Sequence, residues 1–277
     1  MARHRNGALH LTERAINMDD RTMALIVIPT YNEAGNLEPL VREIVALPTA
    51  FDILVVDDNS PDGTGEIADR LSEELPAVHV LHRPGKQGLG TAYIAGFRWA
   101  LARGYDCVLE MDCDFSHHPR YLPAFLEHIE HADLVIGSRY VLDGGTANWG
   151  ILRKFVSAGG NFFARTMLGL RTSDCTGGFR CYRRKMIELV PWEEINVHGY
   201  GFQIGAIYHV ERLGGRVAEF PIIFEDRRVG QSKMSMYIFF EAFAFVIRLA
   251  FTGGRVGRAA QSPVIGGLTK RGADSDG

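Results

Sequence analysis

The chain is poor in cysteine, with four residues in 277 at positions 107, 113, 175 and 181 and no C-x-x-C pair among them. That spacing argues against a disulfide scaffold or a zinc site and reads as reduced thiols in a cytosolic protein. Excess positive charge is also missing. Lys and Arg number 30 against 33 Asp and Glu, a net charge of −3, which argues against a nucleic-acid binder held by a general basic field and leaves basicity to local patches. No uninterrupted apolar run has the length of a membrane span. The stretch from Met1 to Arg21 lacks the apolar core of a secretion signal, so residues 1–22 are expected to form a disordered leader and the Gly- and small-polar-rich residues 253–277 an unfolded tail. Between them, residues 23–252 show no internal repeat and no linker and read as one domain with a sizeable core.

What is present is alternation. Apolar runs at Leu25 to Ile28, Ile53 to Val56, Val78 to Leu81, Cys107 to Met111 and Leu134 to Ile136 read as strands. Helical patterns follow them near Leu37 to Leu47, Glu66 to Leu75, Thr91 to Arg103 and Tyr121 to Ile129. This order predicts an α/β protein with a mainly parallel sheet and helices on both faces. The second half is less regular, with a helix near Leu152 to Leu168, a turn at Thr176-Gly177-Gly178 and a strand near Val217 to Phe220. Met234 to Phe251 is strongly apolar and aromatic, broken only by Glu241 and Arg248, which share one side of a helix. It fits a helix lying on the protein's own core or at a membrane surface.

The unusual chemistry sits in loops after strands, which a parallel sheet gathers at one edge. Val108-Leu109-Glu110-Met111 closes on Asp112-Cys113-Asp114, two carboxylates one residue apart. Such a pair suits Mg²⁺ or Mn²⁺ carrying a diphosphate, although solvated turn acids give the same pattern. Pro29-Thr30-Tyr31-Asn32-Glu33 offers a flat ring and an acid to a base or sugar, or is simply a turn with an acidic helix start. Asp57-Asp58-Asn59-Ser60-Pro61-Asp62-Gly63-Thr64 is too acidic to cradle phosphate; it holds base, ribose or metal, alongside an Asx-turn with a helix cap at Thr64. The first strand-to-helix loop lacks Gly-x-Gly-x-x-Gly, which argues against a nicotinamide enzyme. Gly88-Leu89-Gly90 comes after the third strand instead, where it brings backbone close to a ligand or eases a turn. His117-His118-Pro119 reads as a shaped loop entering a helix rather than as metal ligands or a base.

With Pro29-x-Tyr31-Asn32-Glu33, Asp57-Asp58-x-Ser60-x-Asp62-Gly63-Thr64 and Asp112-x-Asp114 in this order, the chain resembles the family 2 glycosyltransferases of GT-A fold. Within them it is similar to the dolichyl- and polyprenyl-phosphate mannose synthases, in their compact form without transmembrane helices. The narrower likeness rests on Gly88-Leu89-Gly90, Phe115-Ser116-His117-His118-Pro119, Gly137-Ser138-Arg139-Tyr140, Asp174-Cys175-Thr176-Gly177-Gly178-Phe179-Arg180, Gly199-Tyr200-Gly201-Phe202-Gln203 and Arg227-x-x-Gly230-x-Ser232-Lys233. It covers roughly residues 23 to 251.

The resemblance implies a Rossmann-like, mainly parallel sheet flanked by helices and closed by a C-terminal amphipathic interface helix. Pro29, Tyr31, Glu33 and Asp58 would contact the nucleoside, and Asp112 and Asp114 would hold Mg²⁺ or Mn²⁺. Arg139, Arg227 and Lys233 would complete the catalytic set, and Arg139, Arg153, Ser157, Arg227 and Lys233 would face the acceptor phosphate. Two positions depart from the pattern. Ser116 stands where some relatives supply a Gln metal ligand, and Gly205 replaces the usual acid, removing a side chain near the expected acceptor site.

These implications converge on inverting transfer of mannose from GDP-mannose to a polyprenyl monophosphate. A phosphate monoester is largely anionic at neutral pH and needs no strong general base, which suits a cluster of cations better than a placed carboxylate or His. A UDP-glucose or UDP-N-acetylhexosamine donor keeps the same motifs, a soluble acceptor predicts turnover without lipid, and an inactive nucleotide-sugar-binding regulatory protein is a further alternative. The expected setting is the cytoplasmic face of a membrane, peripherally bound, with no nucleic acid and with room for a membrane-protein partner.

Overall fold

The computed structural model describes residues 22–195, 199–226 and 236–252, the last with side chains from 240 onward. The chain opens β1 (Ala24–Thr30), α1 (Leu37–Val45), β2 (Asp52–Asp57), α2 (Thr64–Glu74), β3 (Val78–His82) and α3 (Leu89–Arg103). It continues β4 (Cys107–Glu110), α4 (Leu122–Ile129), β5 (Leu134–Ser138), β6 (Gly145–Thr146) and α5 (Ile151–Leu168). The remainder is β7 (Arg180–Arg183), α6 (Arg184–Leu189), α7 (Tyr200–Arg212), β8 (Val217–Pro221), β9 (Ile223–Phe224) and α8 (Met236–Thr252). Every strand and helix expected in the first half forms within a few residues of its expected bounds, because each apolar run is closed by turn residues.

The main sheet runs β3-β2-β1-β4-β7-β5-β8. All its neighbours pair parallel except β7, which lies antiparallel to both β4 and β5. Buried apolar residues fill both faces: Leu25, Val27, Leu54 and Val56 point to one core, and Ile26, Ile28, Ile53 and Val55 to the other. Alternation within strands buried on both sides is what a sheet covered by helices requires. Since β5 has the same direction as β1, β2 and β4, the loops after these four strands emerge at one edge, as expected.

β6, β7, α6, α7 and β9 went unread in the sequence. β7 completes the centre of the sheet, and α7 is buried at every position from Gly201 to Val210. α7 also accounts for two of the glycines. A Cβ at Gly90 would meet the Phe202 ring at 2.6 Å, so this glycine lets α3 approach α7, while Gly88 at φ 101° eases the turn into α3 as expected. A Cβ at Gly205 would meet Ile195 at 2.7 Å and Phe245 at 3.1 Å, so the missing side chain leaves no gap there but a contact point between α7 and α8. Gly205→Ala is expected to cost about 1–3 kcal/mol by overpacking, read as a lowered urea midpoint at unchanged slope.

The apolar segment near the C-terminus is a helix, α8, packed on α5 and α7. Ala242, Phe245 and Val246 are buried, whereas Phe240, Phe243 and Phe251 are exposed. Glu241 is half-buried and Arg248 exposed, and their seven-residue spacing within α8 puts them on one side of the helix, as expected. The expected leader and tail, and Arg227 and Lys233, lie outside the described residues.

Candidate active site

The ladder of β4 ends when the Met111 N–H donates to the Val27 carbonyl at 3.2 Å. Beyond it β1 turns toward β2, the Asp58 N–H reaching the Thr30 carbonyl at 3.1 Å. The chain after β4 is therefore shaped by its own side chains. The Asp112 N–H donates to Nδ1 of His117 at 3.0 Å. Asp114 Oδ1 accepts from the Ser116 N–H at 3.1 Å and its hydroxyl at 2.6 Å, closing a tight turn around Phe115 at φ 64°. Tyr93 of α3 donates to Asp112 Oδ1 at 3.3 Å. His117 is buried, stacked on Phe179 with centroids 4.7 Å apart and met edge-on by Phe224. Burial lowers its pKa against the pull of Asp112 and Asp114, and a backbone donor fixes Nδ1 as acceptor. With the Asp112 N–H donating to it, Nδ1 has no lone pair left for a metal or a proton.

Beneath the pair, Glu110 is fully buried and accepts from Gln203 Nε2 at 2.8 Å. Burial pushes this carboxyl up to about 8, despite the opposing charge of Arg180 across the ladder. Glu110 Oε1 and Gln203 Oε1 are both buried without a hydrogen-bond partner, and a proton on Glu110 supplies one of them with a donor. Arg180 itself donates to the carbonyls of Cys175, Gly177 and Gln203, tying the Gly-rich loop to α7.

On the nucleoside side the loop after β1 is strapped to the loop after β2. The Glu33 N–H donates to the Thr64 hydroxyl at 2.9 Å, and the Ala34 N–H to Asp62 Oδ2 at 3.1 Å. The expected cap at Thr64 is thus corrected: Gly63 precedes the helix, Asp62 accepts the Thr64 N–H, and the Thr64 hydroxyl serves Glu33. The Asx-turn forms as expected, with Asp57 accepting from the Ser60 N–H. Asp58 is held by Arg83 in a fork of 2.6 and 3.1 Å. Lys86 lies 4.6 Å over the Tyr31 ring, and Pro29 stands one residue before the end of β1. The four expected nucleoside residues therefore stand together at one sheet edge, with Arg83 and Lys86 as unexpected cations.

After β5, Arg139 is buried and forks onto Asp174 with two contacts of 2.7 Å, while Nη2 also reaches the Thr176 hydroxyl at 2.8 Å. Burial alone would raise the Asp174 carboxyl, but the Arg139 charge and its hydrogen bonds hold it below the usual carboxylate range. Tyr140, Trp149 and Phe224 surround the guanidinium at 5.4 to 5.9 Å. Trp149 also carries Arg153, 4.0 Å over its ring. Arg153 pairs with Asp226 at 3.1 Å, and the Ser157 and Tyr140 hydroxyls are 2.8 Å apart.

Arg153, Ser157, Asn161 and Thr176 are among the polar residues lining a cavity of about 520 Å³ between α5, α7 and α8. Its body is apolar, lined by Val156, Phe163, Ile204, Phe243 and Val246. The structure so brings Asp112, Asp114, Arg139, Arg153 and Ser157 into one chain of contacts. Asp174, His117, Glu110 and Gln203 were not singled out as site residues. The lone acid closing an apolar strand at Glu110 was the available signal for that group; Asp174 was visible only as part of a motif.

Among the described residues no three His, Cys, Asp or Glu side chains gather as a metal site. The Asp pair fits a divalent ion of the kind that takes one or two carboxylates and completes its shell with phosphate oxygens and water.

The model of the family "Glycosyl transferase family 2" matches residues 25–190. The undecaprenyl-phosphate mannosyltransferase of Micrococcus luteus is 49% identical over 224 residues, 81% of this chain and 92% of the relative. The polyprenol monophosphomannose synthase of Mycolicibacterium smegmatis is 46% identical over 213 residues, covering 76% and 80%. Among solved structures, mannosyl-3-phosphoglycerate synthase from Rubrobacter xylanophilus superposes with a TM-score of 0.60 at 21% identity, covering 88% of this chain and 79% of that one. Glucosyl-3-phosphoglycerate synthase from Mycobacterium tuberculosis, solved with Mn²⁺ and UDP, gives 0.57 at 20% identity over 84% and 79%. At those identities the structures speak for the fold, whereas the family match spans more than half of the chain: it belongs to glycosyl transferase family 2.

Proposed function

We propose that this glycosyltransferase moves mannose, with inversion, from GDP-mannose to a polyprenyl monophosphate of the dolichyl type. The observation that carries the reading is the row of contacts from Asp112 through His117 and Phe224 to Arg139, Trp149 and Arg153, the last of which lines a cavity with mostly apolar walls. A phosphate headgroup with a hydrocarbon tail matches a cation beside apolar walls, and the two named relatives act on undecaprenyl phosphate or make polyprenol monophosphomannose. Pro29, Tyr31, Glu33 and Asp58 hold the nucleoside. Asp112 and Asp114 would hold Mg²⁺ or Mn²⁺, which when bound neutralises charge on the leaving diphosphate. Arg139, Arg153 and Ser157 receive the acceptor phosphate, joined by Arg227 and Lys233 from outside the described residues.

The acceptor needs no deprotonation, and the site is built accordingly: His117 spends Nδ1 on a backbone amide, and Asp174 spends its carboxylate on Arg139. Attack by the phosphate oxygen opposite the leaving group converts an α-linked donor into a β-linked product.

The setting we infer is the cytoplasmic surface of a membrane. No described helix is long and apolar enough to cross a bilayer. Ile151, Leu152, Phe155 and Phe162 of α5 nevertheless stand exposed beside Phe240 and Phe251 of α8, and Phe155 is 72% and Phe251 82% exposed. Apolar side chains with Lys154 and Arg248 among them suit an anionic interface.

The test is transfer from radiolabelled GDP-mannose into organic-extractable lipid, with purified protein, a short polyprenyl phosphate and Mg²⁺ or Mn²⁺. Metal-dependent label in the lipid phase is expected. Label only from UDP-glucose or a UDP-N-acetylhexosamine would replace the donor, and turnover without lipid phosphate would replace the acceptor.

A further inference from the structure

We propose that His117 is a positioning residue of the metal site, setting the Asp112 carboxylate by accepting its backbone N–H; the inference rests on the metal role assigned to the Asp pair above. Two carboxylates with one residue between them share a face in an extended strand, but here they follow the end of β4 in a loop that turns at Phe115, φ 64°, so the loop itself must set where each one stands. Here each acid has its own anchor. Asp114 is fixed by Ser116, through the two contacts to Oδ1. Asp112 is fixed from behind: the Met111 N–H is the last of β4 to find a β1 carbonyl, and the next N–H would be lost to the sheet if Nδ1 of His117 were not 3.0 Å away.

The ring is placed to serve as a rigid stop. It is 2% exposed, stacked on Phe179 with planes 9° apart and closed by Phe224 at 78°, so it cannot swing away when a cation pulls on Asp112. Phe179 precedes β7 and Phe224 lies in β9, so the stop is braced by elements distant in sequence. Both anchors, Ser116 and His117, come from the same three-residue loop, Phe115 to His117, which places the two carboxylates relative to each other.

Asn and Gln separate this role from packing. Asn carries its amide oxygen about where Nδ1 stands and can still accept from Asp112, whereas Gln places its polar group at the far side of the ring and Phe keeps only the stacking. The experiment is calorimetric titration of Mn²⁺ into the protein with GDP present, for wild type, His117→Asn, His117→Gln and His117→Phe, with circular dichroism as the check on folding. Loss of a group that orients a metal ligand weakens metal affinity about 10- to 100-fold, which is expected for His117→Gln and His117→Phe. His117→Asn is expected to stay within about threefold of wild type, a rescue that loss of ring packing does not predict. If His117→Phe fails to fold, His117→Gln carries the comparison. Folded variants that all bind Mn²⁺ as wild type does, or a His117→Asn as weak as His117→Gln, would overturn the inference alone. Wild type that binds no Mn²⁺ with GDP would remove the metal reading, and this inference with it.

Discussion

Replacing Asp114 with Ala lowers sugar transfer by about 10²-fold or more, roughly 2.7 kcal/mol on the barrier, if the carboxylate supports the charge that builds on the departing diphosphate. The residue is 5% exposed and already held in place by Ser116, so no ordering is needed when the donor arrives. Asp114→Asn makes the test specific. It keeps an oxygen for the Ser116 N–H and hydroxyl but removes the negative charge, so the loop is retained and the hard anionic ligand is not. Equal losses in the Ala and Asn variants, measured as kcat in the lipid-extraction assay, assign the effect to charge. A fall smaller than about tenfold, or about 1.4 kcal/mol, in either variant would sink the metal role of the pair.

The second large effect is on stability. Asp174→Ala is expected to destabilise the fold by about 3–5 kcal/mol, because it strands a buried guanidinium that no other carboxylate among the described residues pairs with. Arg139 is 7% exposed and Asp174 is fully buried, and the same carboxylate also collects the backbone N–H groups of Arg139 and Gly177. In a double-mutant cycle, Arg139→Met with Asp174→Ala is expected to cost less than the sum of the single changes, since the pair removed together leaves no bare charge. Additive losses would mean that the fork contributes only through its separate contacts. The pH dependence has a definite sign. The folded-state pKa of Asp174 lies below its unfolded value near 3.8, so the stabilisation is complete above that value and is lost as pH falls through the folded pKa. The stability gap between wild type and Asp174→Asn should therefore be full at neutral pH and close below about pH 4.

The first half of the fold was legible because β1 to β5 are runs of Val, Ile and Leu bounded by turn residues, the clearest pattern an α/β sheet writes. β7 was not. Its four residues, Arg180-Cys181-Tyr182-Arg183, include a guanidinium buried in a cage of carbonyls, and hydropathy assigns such a residue to the surface. α7 was hidden for the opposite reason: buried on every side, it has no polar stripe to set a period. The Asp pair and the residues proposed for the nucleoside were legible as motifs, since they stand at and just beyond the ends of strands. The support beneath them was not. His117 binds a backbone N–H, and Gln203 reaches Glu110 from an element 93 residues away, and neither contact leaves a trace in local sequence.

The place of β7 also governs when the protein can fold. β4, the strand that delivers the Asp pair, borders β1 on one side and β7 on the other, and β5 reaches the rest of the sheet only through β7. As the chain leaves the ribosome, β1 to β4 can pair among themselves, but the outer edge of β4 stays open until residues 180–183 emerge. An open edge of this kind recruits other chains. Closing it is a distant pairing that slows folding. A chain stopped short of Arg180 would thus present the unpaired edges of β4 and β5 to its neighbours. Pulse-labelled hydrogen exchange would see this directly, as protection in β1 and β2 that precedes protection in β5 and β7.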